Sequence, residues 1–515
     1  MKRRTALVAG MAALALTLGG CAATGDGAAP ADSTLTVGFN TPPASLDPLR
    51  AANGQGRWYM DPAYMSVLQV DNDGNVIAGL SEEWGYVGDD NKTFRFTLRD
   101  GLEFSDGEAL TAQAVVDSFE YFVENGSGPT RAYFLGMTAT AVSDLEVEIT
   151  TETPNPIIDI MLTQDYFAFS PISSAGLADD NARAGQTFGV GPYVLDLDAT
   201  IPDSVYTYTK NEDYFDEDAA AYETIEVRVI PDAAQLVQAL NTGQVEVIQV
   251  DANVADTVSD SATVMSRLAA WSGLVITDRE GVNVPALADE RVRQALAFAL
   301  DRPALAEVAL GEYGEAGVQA ALEGDPTWGF DPELEGFYEL DLDKAKDLLA
   351  EAGYADGFTF TLLYQSANPT EANLVQAIAA QLQEIGVTME LKAVPDFGAW
   401  VNDFVSGQYS ATIFGGVGLP QYLNAQFFWT PQAIMNPYQV SDPDLNAAFD
   451  TLASASADDA AEAARGVTRV VAEKALTIPV YNQENIFAHA STVDGFTWLG
   501  DSGLPNSILS WKPSS

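Results

Sequence analysis

Two hydrophobic periodicities interleave along this chain from residue 35 onward. Leu35-Thr36-Val37-Gly38-Phe39 alternates apolar with small or polar positions, the period of a half-buried strand, and Pro42 and Pro43 stop it. Phe94, Phe96 and Leu98 alternate with Arg95, Thr97 and Arg99 and predict a second strand ending near Asp100-Gly101. Asp71-Asn72-Asp73-Gly74 begins like a calcium loop, but such a loop would have to contain the apolar run Val76 to Leu80. An Asp-Gly turn between two strands is the simpler reading.

Two βαβ units follow, far apart in sequence. In the first, Ile225, Val227 and Val229 form a strand, Asp232 caps a helix burying Leu236, Val237 and Leu240, Gly243 stops it, and Val245 to Val250 returns. In the second, Phe358 to Tyr364 is the strand, and Glu371 to Ile385 is a helix with Leu374, Ile378 and Leu382 inward. Gly386 stops that helix and Val387 to Val394 returns. Each unit predicts a parallel strand pair with a right-handed crossover, and two such units predict two lobes. Between them Asp289 caps a helix through Leu300, Asp301 with Pro303 opens another that Gly311 ends, and Asp343 starts a third that Gly353 stops. Arg291 and Arg293 beside Asp289 and Glu290 read as a surface ion-pair patch.

With 515 residues and 47% apolar composition, the chain has enough core for two or three domains of mixed α/β class. The 74 acidic against 24 basic residues give a net charge of −50, which excludes nucleic acid as a partner and reads as a solvated exterior. At the N-terminus Lys2, Arg3 and Arg4 precede the uncharged stretch Ala6 to Leu18, the layout of a signal peptide over residues 1–20. That stretch is shorter than the ~20 residues a membrane span needs. It ends in Leu18-Gly19-Gly20-Cys21, which resembles a bacterial lipobox and implies lipidation of Cys21. Residues 21–33 carry no large apolar side chain and read as a flexible tether to the outer face of the cell membrane.

Catalysis finds little support. Cys21 is the single cysteine and His489 the single histidine, so internal disulfides, two-histidine zinc sites and most triads are excluded. Gly189-Val190-Gly191 and Gly416-Val417-Gly418 do not continue as dinucleotide fingerprints. With so many acids, carboxylate pairs carry no information about glycoside hydrolysis. Binding without a cofactor is the expectation, and a secreted carboxylate-dependent hydrolase is the alternative.

Several runs resemble the family 5 extracytoplasmic solute-binding proteins, the dipeptide, oligopeptide and nickel receptors of ABC importers. They are Thr93 to Gly107, Leu110-Thr111-Ala112, Gly189-Val190-Gly191-Pro192-Tyr193, Asn211 to Phe215, Asp289 to Leu296 with Asp301-Arg302, and Ala345 to Tyr354. The resemblance implies a two-lobe periplasmic-binding-protein-like α/β fold with an extra inserted domain. Lobe I would comprise 34–55, 190–275 and 481–515, the inserted domain 56–189, and lobe II 276–480. It also implies a monomer that hands a small solute, a peptide or peptide-like compound, to permease subunits. A sugar-like solute is the alternative.

Ligands of open parallel sheets bind beyond the carboxyl ends of strands. The candidate binding residues are therefore Phe414, Gly415, Gly416, Gly418, Gln421 and Tyr422, where a short strand at Ala411 runs into glycines, together with Trp271. Tyr64, Trp400 and Trp429 are weaker aromatic candidates. Peptide-binding members of the family carry an acid in the segment corresponding to Phe414 to Tyr422, where it holds the ligand's ammonium. This chain has none there, so recognition is expected through backbone groups and neutral side chains, or through an acid elsewhere such as Asp47, Asp61 or Asp396.

Overall fold

The computed structural model describes residues 33–50, 56–126, 130–166, 168–216 and 218–514; the signal and lipidation readings at residues 1–20 and Cys21 lie outside them. Lobe I begins with strand β1 (Thr34–Phe39). There follow β2 (Leu68–Val70), β3 (Val76–Ala78), β4 (Ser81–Tyr86), β5 (Thr93–Leu98), helix α1 (Ala112–Asn125), β6 (Met137–Ala141) and β7 (Glu146–Thr151). Strands β4, β5, β7 and β6 make a separate four-stranded sheet in which Phe94, Phe96 and Leu98 are buried. The Asp71 carboxylate accepts the N–H groups of Asp73 and Asn75, and Gly74 has φ +87°, so this segment is the β2–β3 hairpin turn.

Lobe I resumes with β8 (Tyr193–Leu195), β9 (Val205–Lys210), β10 (Thr224–Val229), α2 (Ala233–Asn241) and β11 (Val247–Val250). The 15-residue β12 (Ala262–Ile276) then crosses to lobe II. There follow α3 (Glu290–Phe298), α4 (Arg302–Leu310), β13 (Gly314–Ala316), α5 (Leu342–Glu351), β14 (Thr359–Gln365), α6 (Pro369–Gln383) and β15 (Thr388–Val394). After α7 (Phe397–Phe404), β16 (Ala411–Val417) and α8 (Gln421–Phe428), the 14-residue β17 (Thr477–Ala490) crosses back. The large sheet runs β15-β14-β16-β12-β17-β11-β1-β10-β9-β8, so the two lobes hang on the antiparallel pair β12–β17. This is the two-lobe periplasmic-binding-protein-like α/β fold.

Three local readings are corrected. Strands β10 and β11 are parallel but not neighbours, because β1 is inserted between them and pairs with both. Helix α5 is capped by Asp341, whose carboxylate accepts the Lys344 N–H, and Asp343 lies in its first turn. Arg293 is buried and donates to the carbonyls of Leu287, Ala288 and Lys474; Arg291 alone makes the surface pair with Asp289.

Candidate functional site

The chain's connections change face at β14. Strand β14 leads through α6 to β15 on one side, and β15 leads through α7 to β16 on the other. Leu362 packs in the core of α6, whereas its neighbour Leu363 packs with Trp400 and Phe404 of α7, so the two helices cover opposite faces of β14. Strands whose connections diverge in this way leave a crevice beyond their carboxyl ends. Here β14 and β16 pair only at Leu362–Ala411 and Leu363–Thr412, while β12 flanks β16 along its whole length. Beyond Thr412 the other edge of β16 has no strand partner among the described residues.

That gap holds a cavity of about 280 Å3 lined by Trp271, Gln365, Glu371, Phe414, Gly415 and Gly416, among others. At Gln483 it meets a larger groove of about 730 Å3 between the lobes. One wall of the groove is the segment after β11 with Asp251 and Asp256; the other is the end of α4 with Glu312 and Tyr313; β17 is the floor. Asn368 caps α6 by accepting the Glu371 N–H, and the Glu371 carboxylate accepts the N–H of Gln365 at 2.7 Å. Burial pushes the Glu371 carboxyl up from 4.5 to about 7, opposed by that one hydrogen bond. Tyr481, also in the wall, has its phenol raised by burial. Among the described residues no three His, Cys, Asp or Glu side chains are grouped so as to hold a metal ion.

The sequence candidates separate into groups. Trp271, Phe414, Gly415 and Gly416 come together in the crevice. The stretch Gly415-Gly416-Val417 is strand rather than loop, and close packing explains its glycines. A Cβ on Gly415 would lie 2.1 Å from the Trp271 carbonyl oxygen, and one on Gly416 would lie 2.8 Å from the Trp271 indole nitrogen. Trp271 itself is fully buried, and among the described residues its indole N–H has no partner. Gly418 lies apart, under the ring of Trp328, in a cavity of about 90 Å3 also lined by Val70, Ile160 and Tyr166.

Neither Gln421 nor Tyr422 lines the crevice or the groove. The Gln421 amide donates to Thr468 Oγ1 and accepts from Asn424, and the Tyr422 hydroxyl donates to the Pro154 carbonyl. Trp400 and Trp429 donate their indole N–H groups to Thr412 and Thr477, and the Tyr64 hydroxyl accepts the Phe188 N–H. All three are buried away from both cavities. The alternative acids are engaged too: Asp47 pairs with Arg183, Asp61 with Arg57, and Asp396 caps α7. Sequence reasoning missed Glu371, although the rule about strand carboxyl ends, applied to β14, points at residues 365–371.

Residues 75–437 match the model of bacterial extracellular solute-binding proteins, family 5. The chain is 25% identical over 372 residues to a probable peptide ABC transporter periplasmic-binding protein of Sinorhizobium fredii, covering 69% of each. It is 25% identical over 511 residues to the glutathione-binding protein of Escherichia coli K12, covering 92% of this chain and 93% of that one. A periplasmic binding protein of A. tumefaciens R10 in complex with agropinic acid superposes with a TM-score of 0.78 at 23% identity, over 94% of this chain and 99% of that one. With a family match over most of its length and the two-lobe fold that goes with it, the chain belongs to the family 5 bacterial extracellular solute-binding proteins.

Proposed function

We propose that this extracytoplasmic substrate-binding protein of an ABC importer takes a peptide or peptide-like small solute in the groove between its lobes. The observation that carries this reading is the unpaired edge of β16 from Ile413 to Val417, which lies open along a cavity. An extended main chain can add to such an edge through its own N–H and C=O groups, and alternate side chains then enter flanking pockets. The crevice and the groove together offer space of the order of the ~300–1,000 Å3 common for small-molecule sites. Walls from both lobes would close on the captured solute, turning about β12 and β17. Lipidation at Cys21 would hold the receptor beside its permease. Mass spectrometry of the solute that copurifies with the protein tests the reading. An unaltered compound with amide, amine or guanidine groups is expected, and a compound with none of these, or one turned over by the protein, would overturn it.

A further inference from the structure

The crevice and the groove are charged with one sign only, and the crevice carboxylate stands where a solute lying along β16 would meet it. Among the described residues, no lysine, arginine or histidine lines the crevice or the groove. The neutral groups Gln365, Asn368, Tyr481 and Gln483 surround Glu371, and beyond Gln483 come Asp251, Asp256, Glu312 and Glu484. Two fully buried acids of this chain are compensated, whereas Asp159, half-buried like Glu371, has no cation beside it among the described residues and its carboxyl is also raised by burial. Asp331 pairs with Arg469, and the Asp278 carboxylate accepts three backbone N–H groups, from Val282, Asn283 and Val284. Glu371 has a single N–H and no countercharge, which is why its carboxyl is raised. A second observation also calls for a ligand atom: the fully buried indole N–H of Trp271 in the same crevice wall has no acceptor among the described residues.

Resting on the receptor reading above, we propose that this site selects a solute with net positive charge and no free carboxylate, a peptide-like amine or guanidine whose cation is held by Glu371. The cation supplies the charge the crevice lacks, and a charge-assisted hydrogen bond fixes it. A solute carboxylate would enter walls that carry acids and no cation, so zwitterions are rejected by like charge. The acid missing after Phe414 is thereby supplied from the start of α6.

Isothermal titration at physiological salt with agmatine and with arginine tests the proposal, because the two differ only by the carboxylate. Agmatine should bind at least tenfold more tightly than arginine. Glu371→Gln should weaken agmatine at least tenfold, whereas Glu335→Gln, an exposed acid outside the groove, should not. Lowering the pH from 8 to 6 should weaken agmatine by about tenfold, as a carboxyl near 7 takes up its proton. Equal binding of arginine, an unchanged affinity in Glu371→Gln, or binding of trialanine but not agmatine would each overturn the proposal. Trialanine binding alone would leave the receptor reading standing. If no probe bound and no solute copurified with the protein, both would fall.

Discussion

Glu371→Gln makes a prediction about folding that needs no ligand. The carboxyl is raised from 4.5 to about 7 because burial penalises its charged form. A raised acid contributes stability while it is protonated and loses that contribution as pH rises through the folded value. The penalty is therefore absent below pH 4.5, grows between 4.5 and 7, and is complete above 7. A wholly buried group with this displacement would account for about 3 kcal/mol. Because Glu371 is only partly buried, solvent screening brings the expectation to about 1–2 kcal/mol. Glutamine keeps an oxygen to accept the Gln365 N–H and carries no charge. Thermal unfolding of both proteins from pH 4 to pH 8 should give coincident midpoints at the acid end and a higher midpoint for the variant at pH 8. The exposed Glu335→Gln supplies the baseline for simply removing one acid from a chain of net charge −50. A difference that is flat with pH, or that favours the wild type at pH 8, would refute the environment assigned to Glu371.

Other predictions follow from contacts. Gly415→Ala should cost about 1–3 kcal/mol, since its Cβ would press on the Trp271 carbonyl of a crossing strand; a thermal midpoint equal to wild type would sink this. Arg183→Met should cost about 2–4 kcal/mol because it leaves the buried Asp47 carboxylate only the longer pair with half-exposed Arg50 and the Tyr121 and Leu49 hydrogen bonds, and chemical denaturation would read the loss. Trp271→Phe removes an unpartnered indole N–H together with fully buried ring volume beside Phe428, so it should cost about 1–2 kcal/mol of stability while affinity for an amide solute falls; unchanged affinity would return Trp271 to packing alone. Cys21→Ser should release the protein from membranes or leave it unprocessed, and membrane retention after signal cleavage would argue against a lipid anchor.

Legibility in the sequence varied with how local the cause was. The strands at Leu35 and Phe94 and the caps at Asp232, Asp289 and Asp301 follow from neighbours in sequence, and they stand where the pattern puts them. The neighbour of β10 does not follow, because β1 enters from nearly two hundred residues away and no periodicity records that. Trp400, Trp429 and Tyr64 illustrate a further limit. An aromatic ring with a polar edge is equally suited to a ligand or to a core, and buried threonine hydroxyls and a backbone N–H decide for the core. Glycines at 415 and 416 were legible as sites of close approach, but what approaches is β12. Glu371 was hidden by its local role as the third residue of a helix behind an Asn cap, a pattern that explains itself without a site.

The position of the groove ties recognition to motion. Its two walls belong to different lobes, and its floor is β17, one of the two paired strands that join those lobes. A solute that touches only one wall has the same interaction in an open and a closed arrangement and shifts nothing. One that reaches from Glu371 across Gln483 to the acids after β11 gains contacts only when the walls approach, so its differential affinity is what favours closure. Length and charge separation in the solute then matter more than affinity for either wall. A monocation engaging Glu371 alone should bind without closing the lobes, whereas a dication long enough to span the groove should both bind and close them. Small-angle scattering on the two complexes separates these cases, and compaction of equal size with both solutes would show that the second wall takes no part.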